Sequence, residues 1–261
     1  MRIDIITIFP DYFAPLELSL LGKARAAGRV ALEVHDLRSW TYDRHHTVDD
    51  TPYGGGPGMV MKPEPWGRAL HAVAETENPV GVPRLLVPTP SGVPFTQTQA
   101  ERLAAEPWLL FACGRYEGID ARVVAEAQQH MPVEELSIGD YVLAGGEAAT
   151  LVLVESITRL LPGLLGNADS ATQDSFASGE MAGLLEGPVY TKPSIWREHQ
   201  VPEILLSGNH AAVDRWRRDE ALRRTARNRP ELLSRVVRLD QRDREVLAEL
   251  GVRVTPTDMA D

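Results

Sequence analysis

The sequence predicts an α/β protein, an open parallel sheet covered on both faces, with a smaller helical domain after it. Three observations carry this. Short apolar runs alternate with amphipathic stretches through residues 1–165, glycine-bearing loops close three of those runs, and the pattern turns wholly helical beyond a polar segment at 166–187. Strands that alternate with helices pack as parallel sheets, because each helix returns the chain to the same end of the sheet.

The elements follow in order. Residues 2–9 form an apolar, β-branched run that stops at Pro10, as a buried first strand does. Residues 30–37 alternate as a second strand, whereas 40–61 lack periodicity and read as a long loop rich in His, Asp, Pro and Gly. Trp66, Ala69, Leu70 and Val73 give helical spacing over 64–76, and 85–87 make a short strand closed by Pro88-Thr89-Pro90-Ser91-Gly92. Helices are then predicted at 96–104, 119–129 and 147–161, and strands at 108–113 and 133–138, with Pro162-Gly163 as the final stop. Past the polar segment, helices are expected at 211–227, 230–239 and 242–250, with Ser207-Gly208-Asn209 as capping residues. The division expected is a domain at 1–165, a linker at 166–187 and a helical domain at 188–261.

Composition narrows the class of function. Hydrophobic content of 43% with 25% charged residues suits a chain that buries a sizeable core. The first ten residues are too short and too acidic for a signal peptide, and no apolar run approaches the roughly 18 residues of a membrane span. The single cysteine, Cys113, sits in an apolar run and reads as a core residue, excluding an internal disulfide. A cytoplasmic location and no membrane partner are expected from these features. The net charge of -10 argues against indiscriminate nucleic-acid binding. Residues 215–244, however, hold 11 arginines against five acids. That segment is either a solvated helical face laced with ion pairs or a phosphate-contacting one.

Ligands of parallel sheets gather at the carboxyl ends of strands. Three predicted strands end there in like loops, 88–92, 113–120 and 137–147, whose glycines let backbone groups approach a ligand closely. One such loop is an ordinary turn; three at successive strand ends favour a site. Backbone groups there suit an adenine edge, and Glu117 suits ribose hydroxyls. No G-x-G-x-x-G follows the first strand, so a dinucleotide oxidoreductase lacks its fingerprint. The run at 53–58 is no phosphate loop, since no Gly-Lys-Ser/Thr follows it. His45-His46 with Asp49-Asp50 is a metal-like cluster, but adjacent loop histidines seldom share one metal.

The blocks HHTVDDTPYGGGPGMVMK, CGRYEGIDARV, SIGDYVLAGGE, LLPGLLGN, DSF, GPVYTKP, VPEILLSGNH and RWRR resemble the bacterial tRNA (guanine-N1)-methyltransferase family, TrmD. They run in order over nearly the whole chain. The resemblance implies a SPOUT-type α/β domain with a deep trefoil knot, a homodimer with its active site at the subunit interface, and S-adenosylmethionine as donor. Carried over by motif, the donor site takes Pro90, Gly114, Tyr116, Glu117, Ser137, Ile138, Gly139, Asp140, Tyr141, Val142, Leu143, Gly145 and Gly146. The implied reaction methylates N1 of guanosine-37, beside the anticodon, in tRNAs with a GG sequence there.

Guanine N1 carries a proton and is a poor nucleophile until a base removes it. Asp174 matches the family's catalytic aspartate, and Arg159 an arginine assigned to the guanine. A cation near O6 stabilises the charge that develops there. The resemblance also implies magnesium, without a dedicated site in this sequence. It points to tRNA contacts by His46, Tyr53, Gly58, Ser207, His210, Arg215, Arg217, Arg218 and Arg223, though Ser207 serves equally as a cap. Thr51 and Lys192 stand where the family commonly has arginine, so contacts made by those arginines are lost or moved. The rival readings are another SPOUT methyltransferase and a non-catalytic RNA-binding module.

Overall fold

The computed structural model describes residues 1–76, 81–164, 173–236 and 238–252. The chain divides into two compact units, Met1–Gly166 and Asn167–Asp261.

In the first unit the elements run β1 (Arg2–Thr7), α1 (Ser19–Ala26), β2 (Ala31–Asp36), β3 (Asp49–Asp50), β4 (Val60–Met61), α2 (Pro63–Ala74) and β5 (Arg84–Pro94). Then come α3 (Gln97–Ala104), β6 (Trp108–Ala112), α4 (Ala121–Ala127), β7 (Val133–Ser137) and α5 (Gly146–Thr158). Five strands form one parallel sheet in the order β2-β1-β6-β5-β7. The parallel α/β class is therefore the observed one.

The sequence of the central strands explains the layers. In β1, Ile3 and Ile5 face a core shared with Leu109 and Phe111 of β6, Leu103 of α3, and Leu153, Val154 and Ile157 of α5. Ile6 faces the other way, toward Leu85, Leu110, Trp66 and Leu70 of α2, and Val123 of α4. A strand buried on both faces must be apolar at every step, which is why β6 reads Trp-Leu-Leu-Phe-Ala without a polar residue. Edge strand β2 alternates instead.

Several elements differ from expectation. A 3-10 segment, Pro10–Glu17, and α1 occupy a stretch where Pro15 and Gly22 interrupt any helical period; Phe13, Leu16, Leu21 and Ala24 still bury. The expected loop 40–61 contains the short antiparallel pair β3 and β4. β5 does not stop at residue 87. It pairs with β7 up to Pro88, loops out, and resumes at Val93 and Pro94. Gly92 is required at the return, since a Cβ there would lie 2.5 Å from the backbone of Glu135 and Leu136. The predicted helix at 119–129 shortens to α4, capped by the Asp120 carboxylate on the Arg122 N–H at 2.9 Å.

The second unit holds a two-stranded ribbon, β8 (Ile195–Trp196) with β9 (His199–Gln200), and helices α6 (His210–Asn228) and α7 (Gln241–Glu249). Leu184, Leu222, Leu233, Val236, Val246 and Leu247 form its core. The helix expected at 230–239 is a 3-10 turn, Pro230–Arg235, because Pro230 starts it and no caps extend it. Residues 166–172 of the expected linker lie outside the described residues. Its later part is built into this unit: the Phe176 N–H donates to Leu184 carbonyl, Glu186 N–H to Ser175 Oγ, and Ala177 and Leu184 are buried. Those apolar residues, spaced among polar ones, escape a reading by composition. Among the described residues no helix is long and apolar enough to cross a membrane.

Candidate functional site

The carboxyl ends of β5, β6 and β7 enclose a cavity of about 470 Å³. Small-molecule sites run from roughly 300 to 1,000 Å³, so the space suits a nucleoside-sized ligand. Its walls are residues 88–91, Gly114 with residues 116–119, and the loop after β7. Pro90, Gly114, Tyr116, Glu117, Ser137, Ile138, Gly139, Tyr141, Val142, Leu143, Gly145 and Gly146 all line it; Asp140 does not, and lies exposed. Gly118 of the 113–120 loop also lines it; Thr89, Ser91 and Glu135 do so without being singled out from sequence, although the first two belong to the Pro-Thr-Pro-Ser-Gly loop.

Backbone geometry explains why these loops need glycine. Gly118 has φ +112° and Gly139 φ +148°, conformations that side chains resist. Tyr116, at φ 58°, adopts the left-handed region without being glycine. Ser137 Oγ ties the next turn, donating to the Gly139 carbonyl at 3.1 Å and accepting its N–H at 3.2 Å. The Gly146 N–H donates to the Gly114 carbonyl at 2.8 Å, closing β6's loop against the start of α5.

Under this junction lies a buried ion pair absent from the expected site. Glu147 has no exposed surface; Arg115 Nε donates to it at 2.8 Å and Thr7 Oγ1 at 2.8 Å. An acid in the first turn of a helix, followed by a mostly apolar run (Ala-Ala-Thr-Leu-Val-Leu-Val), was the available signal. Cys113 packs beside it, fully buried, and burial pushes its thiol far above the usual range; it is inert in the core.

The loop carrying Tyr53 and Gly58 is fastened directly to the cavity's edge. Glu117 N–H donates to Met59 carbonyl at 2.9 Å, and Met61 N–H to Gly118 carbonyl at 2.9 Å. Gly58, at φ +82°, has the Glu117 carboxylate where a side chain would begin. Tyr53 is 99% exposed. His46, at φ 50°, sits with Nδ1 2.9 Å from Thr41 Oγ1 in a turn gathered by the Asp43 carboxylate.

Among the described residues, metal-ligating atoms converge at Asp4, Glu33 and His35, not at His45 to Asp50. Burial pushes Asp4 upward, but His35, Arg2 and Trp108 outweigh it and hold the carboxyl below its usual range. Its oxygens are thereby occupied, and these three residues do not line the cavity. They do not fit the implied magnesium.

A family model described as "tRNA (Guanine-1)-methyltransferase TrmD" matches residues 1–235. The chain belongs to the TrmD family. It is 71% identical to the tRNA (guanine-N(1)-)-methyltransferase of Thermobifida fusca, with 100% of each chain covered. It is 62% identical to the protein so named from Streptomyces coelicolor, over 98% of this chain and 94% of that one.

Of the two proposed catalytic residues, Arg159 belongs to the unit that holds the cavity and Asp174 to the second unit. Arg159 caps the far end of α5, whose first residue, Gly146, lines the cavity. Thirteen residues of helix at about 1.5 Å each separate them by about 20 Å. Asp174, in the second unit, is half-buried, and its carbonyl accepts the Ala177 N–H at 3.2 Å.

The expected tRNA contacts on the second unit divide into two kinds. Arg215 binds Asp219, Asp240 and Asp243, Arg218 holds Asp243, and Arg223 pairs with Glu220 and Glu249. Arg224 donates to the carbonyls of Glu186 and Gly187. Arg217 projects outward with one weak partner, Asp214, at 3.5 Å. Ser207 Oγ donates to Ile204 carbonyl, Asn209 caps α6, and His210 begins that helix exposed. Thr51 and Lys192 are both exposed.

Proposed function

We propose that this chain transfers a methyl group from S-adenosylmethionine to N1 of guanosine-37, next to the anticodon, in tRNAs with a GG sequence there. It would act in the cytoplasm as a homodimer whose active site lies at the subunit interface. The observation that carries this reading is the cavity at the three strand ends, walled by the motif residues of the donor site. The family and the relatives' printed names support the guanine-N1 chemistry.

The donor fits what lines the cavity: backbone groups at Gly114, Gly139, Gly145 and Gly146 for the adenine edge, and Glu117 for ribose hydroxyls. When bound, it supplies an electrophilic methyl on a sulfonium centre. The protein's own part is to ready the guanine. The Asp174 carboxylate takes the proton from N1, and the Arg159 guanidinium stands near O6, where negative charge develops. Holding N1 in line with the methyl supplies much of the remaining rate.

Ala149 is the last residue of α5 to line the cavity, and the ten residues from there to Arg159 span about 15 Å, beyond the reach of an arginine side chain. A second copy bringing Arg159 to the cavity resolves this and supports the homodimer. The knot implied by the family would lie in the loops around the donor. Arg217, Ser207 and His210 offer the tRNA exposed groups, and Arg215, Arg218 and Arg223 shape that surface through their ion pairs with neighbouring acids.

Replacing Asp174 tests the assignment. Asp174→Ala should lose methyl transfer by a factor of about 10² to 10⁴, the usual worth of a general base. Donor affinity measured by calorimetry should stay unchanged. Equal loss of both would make Asp174 a structural residue.

A further inference from the structure

The buried pair beside the cavity has no part in the methyl-transfer reading. Glu147 accepts Thr7 Oγ1 at 2.8 Å on one oxygen and Arg115 Nε at 2.8 Å on the other, with no surface exposed. Buried ion pairs are poor sources of stability, because desolvation offsets their attraction. What they supply is fixed direction.

Here that direction is set on Arg115. Its backbone N–H lies 3.1 Å from Met61 Sδ, its Nη1 donates to the Ala144 carbonyl at 3.5 Å, and its guanidinium stacks 4.6 Å from the Phe9 ring. Arg115 stands in sequence between two residues that line the cavity, Gly114 and Tyr116, and Ala144 between two more, Leu143 and Gly145. One guanidinium therefore ties together two of the loops that line the cavity. Backbone pairing of Arg115 with Gly145 runs alongside, and a Cβ on Gly145 would lie 2.6 Å from Glu147 Oε2. Thr7 anchors the assembly to the end of β1, where its hydroxyl also accepts the Phe9 N–H at 3.0 Å.

We propose that Glu147 is a positioning residue for the donor: through Arg115 it fixes the loop after β6 against the loop after β7, two of the loops that line the cavity. The proposal rests on the cavity being the donor site. An ionised carboxylate suits the place, since the first turn of a helix favours negative charge.

The test is Glu147→Gln, which keeps the shape and removes the charge. Calorimetry with S-adenosylhomocysteine should show affinity weakened about tenfold, the worth of one charge-assisted hydrogen bond. In steady state the donor KM should rise by a like factor, with kcat at saturating donor and the tRNA KM within about twofold of wild type. A folded Glu147→Gln protein with wild-type donor affinity would overturn the proposal. Should that variant fail to fold, Arg115→Lys decides: it retains the charge but not the fork that reaches both Glu147 and Ala144. It too should bind the donor more weakly, and wild-type affinity there would overturn the proposal. Wild-type protein that binds no donor would instead overturn the reading of the cavity.

Discussion

Arg218 closes a two-pronged ion pair on Asp243, with Nε 3.0 Å from each carboxylate oxygen and Nη2 2.8 Å from Oδ2. The carboxylate is 1% exposed, so Arg218 neutralises a charge inside the second unit and is not a loose cation. Its neighbour Arg217 points to solvent. The two should therefore separate on substitution. Arg218→Ala leaves a buried charge half-compensated and should lower stability by about 3 kcal/mol, read as a drop in Tm. Arg217→Ala should leave Tm unchanged, weaken tRNA binding, and reduce the salt dependence of that binding by about one phosphate contact.

Asp243 also sets an acid response. Burial alone would raise its pKa, but Arg218 and then Arg215 outweigh burial and hold the carboxyl below its ordinary range. A depressed folded-state pKa gives stability that is complete above the unfolded-state value of about 3.9 and is lost as pH falls through the lower, folded value. Asp243→Asn should be less stable than wild type at neutral pH, and the gap should narrow as the solution is acidified. Thermal unfolding across that range measures it; a gap independent of pH would contradict the ion-pair account.

Gly146 offers a steric test of the cavity wall. A Cβ there would meet Cys113 Cα at 3.1 Å and the Gly114 nitrogen at 3.3 Å, both backbone atoms. Gly146→Ala should push α5 from the β6 loop, costing about 1–3 kcal/mol by overpacking and weakening donor binding. Unchanged donor affinity in the folded variant would show that this junction does not shape the cavity.

Placing Arg159 on the second copy predicts complementation. Gly139→Val, a side chain forced into φ +148°, should block the donor cavity; Arg159→Ala should cripple the other half of the site. Mixed dimers should recover about a quarter of wild-type activity, since half the dimers are mixed and each carries one intact site. No recovery on mixing would contradict a site shared between copies.

What could be read from the sequence follows from where each constraint acts. β6 was legible because burial on two faces leaves it no polar position, β1 because its isoleucines dominate despite the buried Asp4 and Thr7, and the three loops because glycine marks backbone that a side chain would obstruct. α1 was not, since Gly22 and the preceding Pro15 break its period while tertiary burial of Leu21 and Ala24 sustains it. The far half of β5 is Pro-Ser-Gly-rich and becomes a strand only by pairing with β7. The arginines of α6 showed their charge, but the acid that holds Arg218 lies 25 residues onward, beyond any local pattern. Glu147 and Thr7 meet across 140 residues, so their contact was invisible for the same reason.

The most direct test of the account is to locate the methyl group. Protein incubated with labelled S-adenosylmethionine and an unmodified tRNA bearing GG beside the anticodon should yield 1-methylguanosine at position 37 on nuclease digestion and mass spectrometry. A transcript with that guanosine replaced should stay unlabelled. Label on a ribose 2′-hydroxyl or another base would make the chain a different SPOUT methyltransferase, and donor binding without any labelling would contradict the proposed reaction.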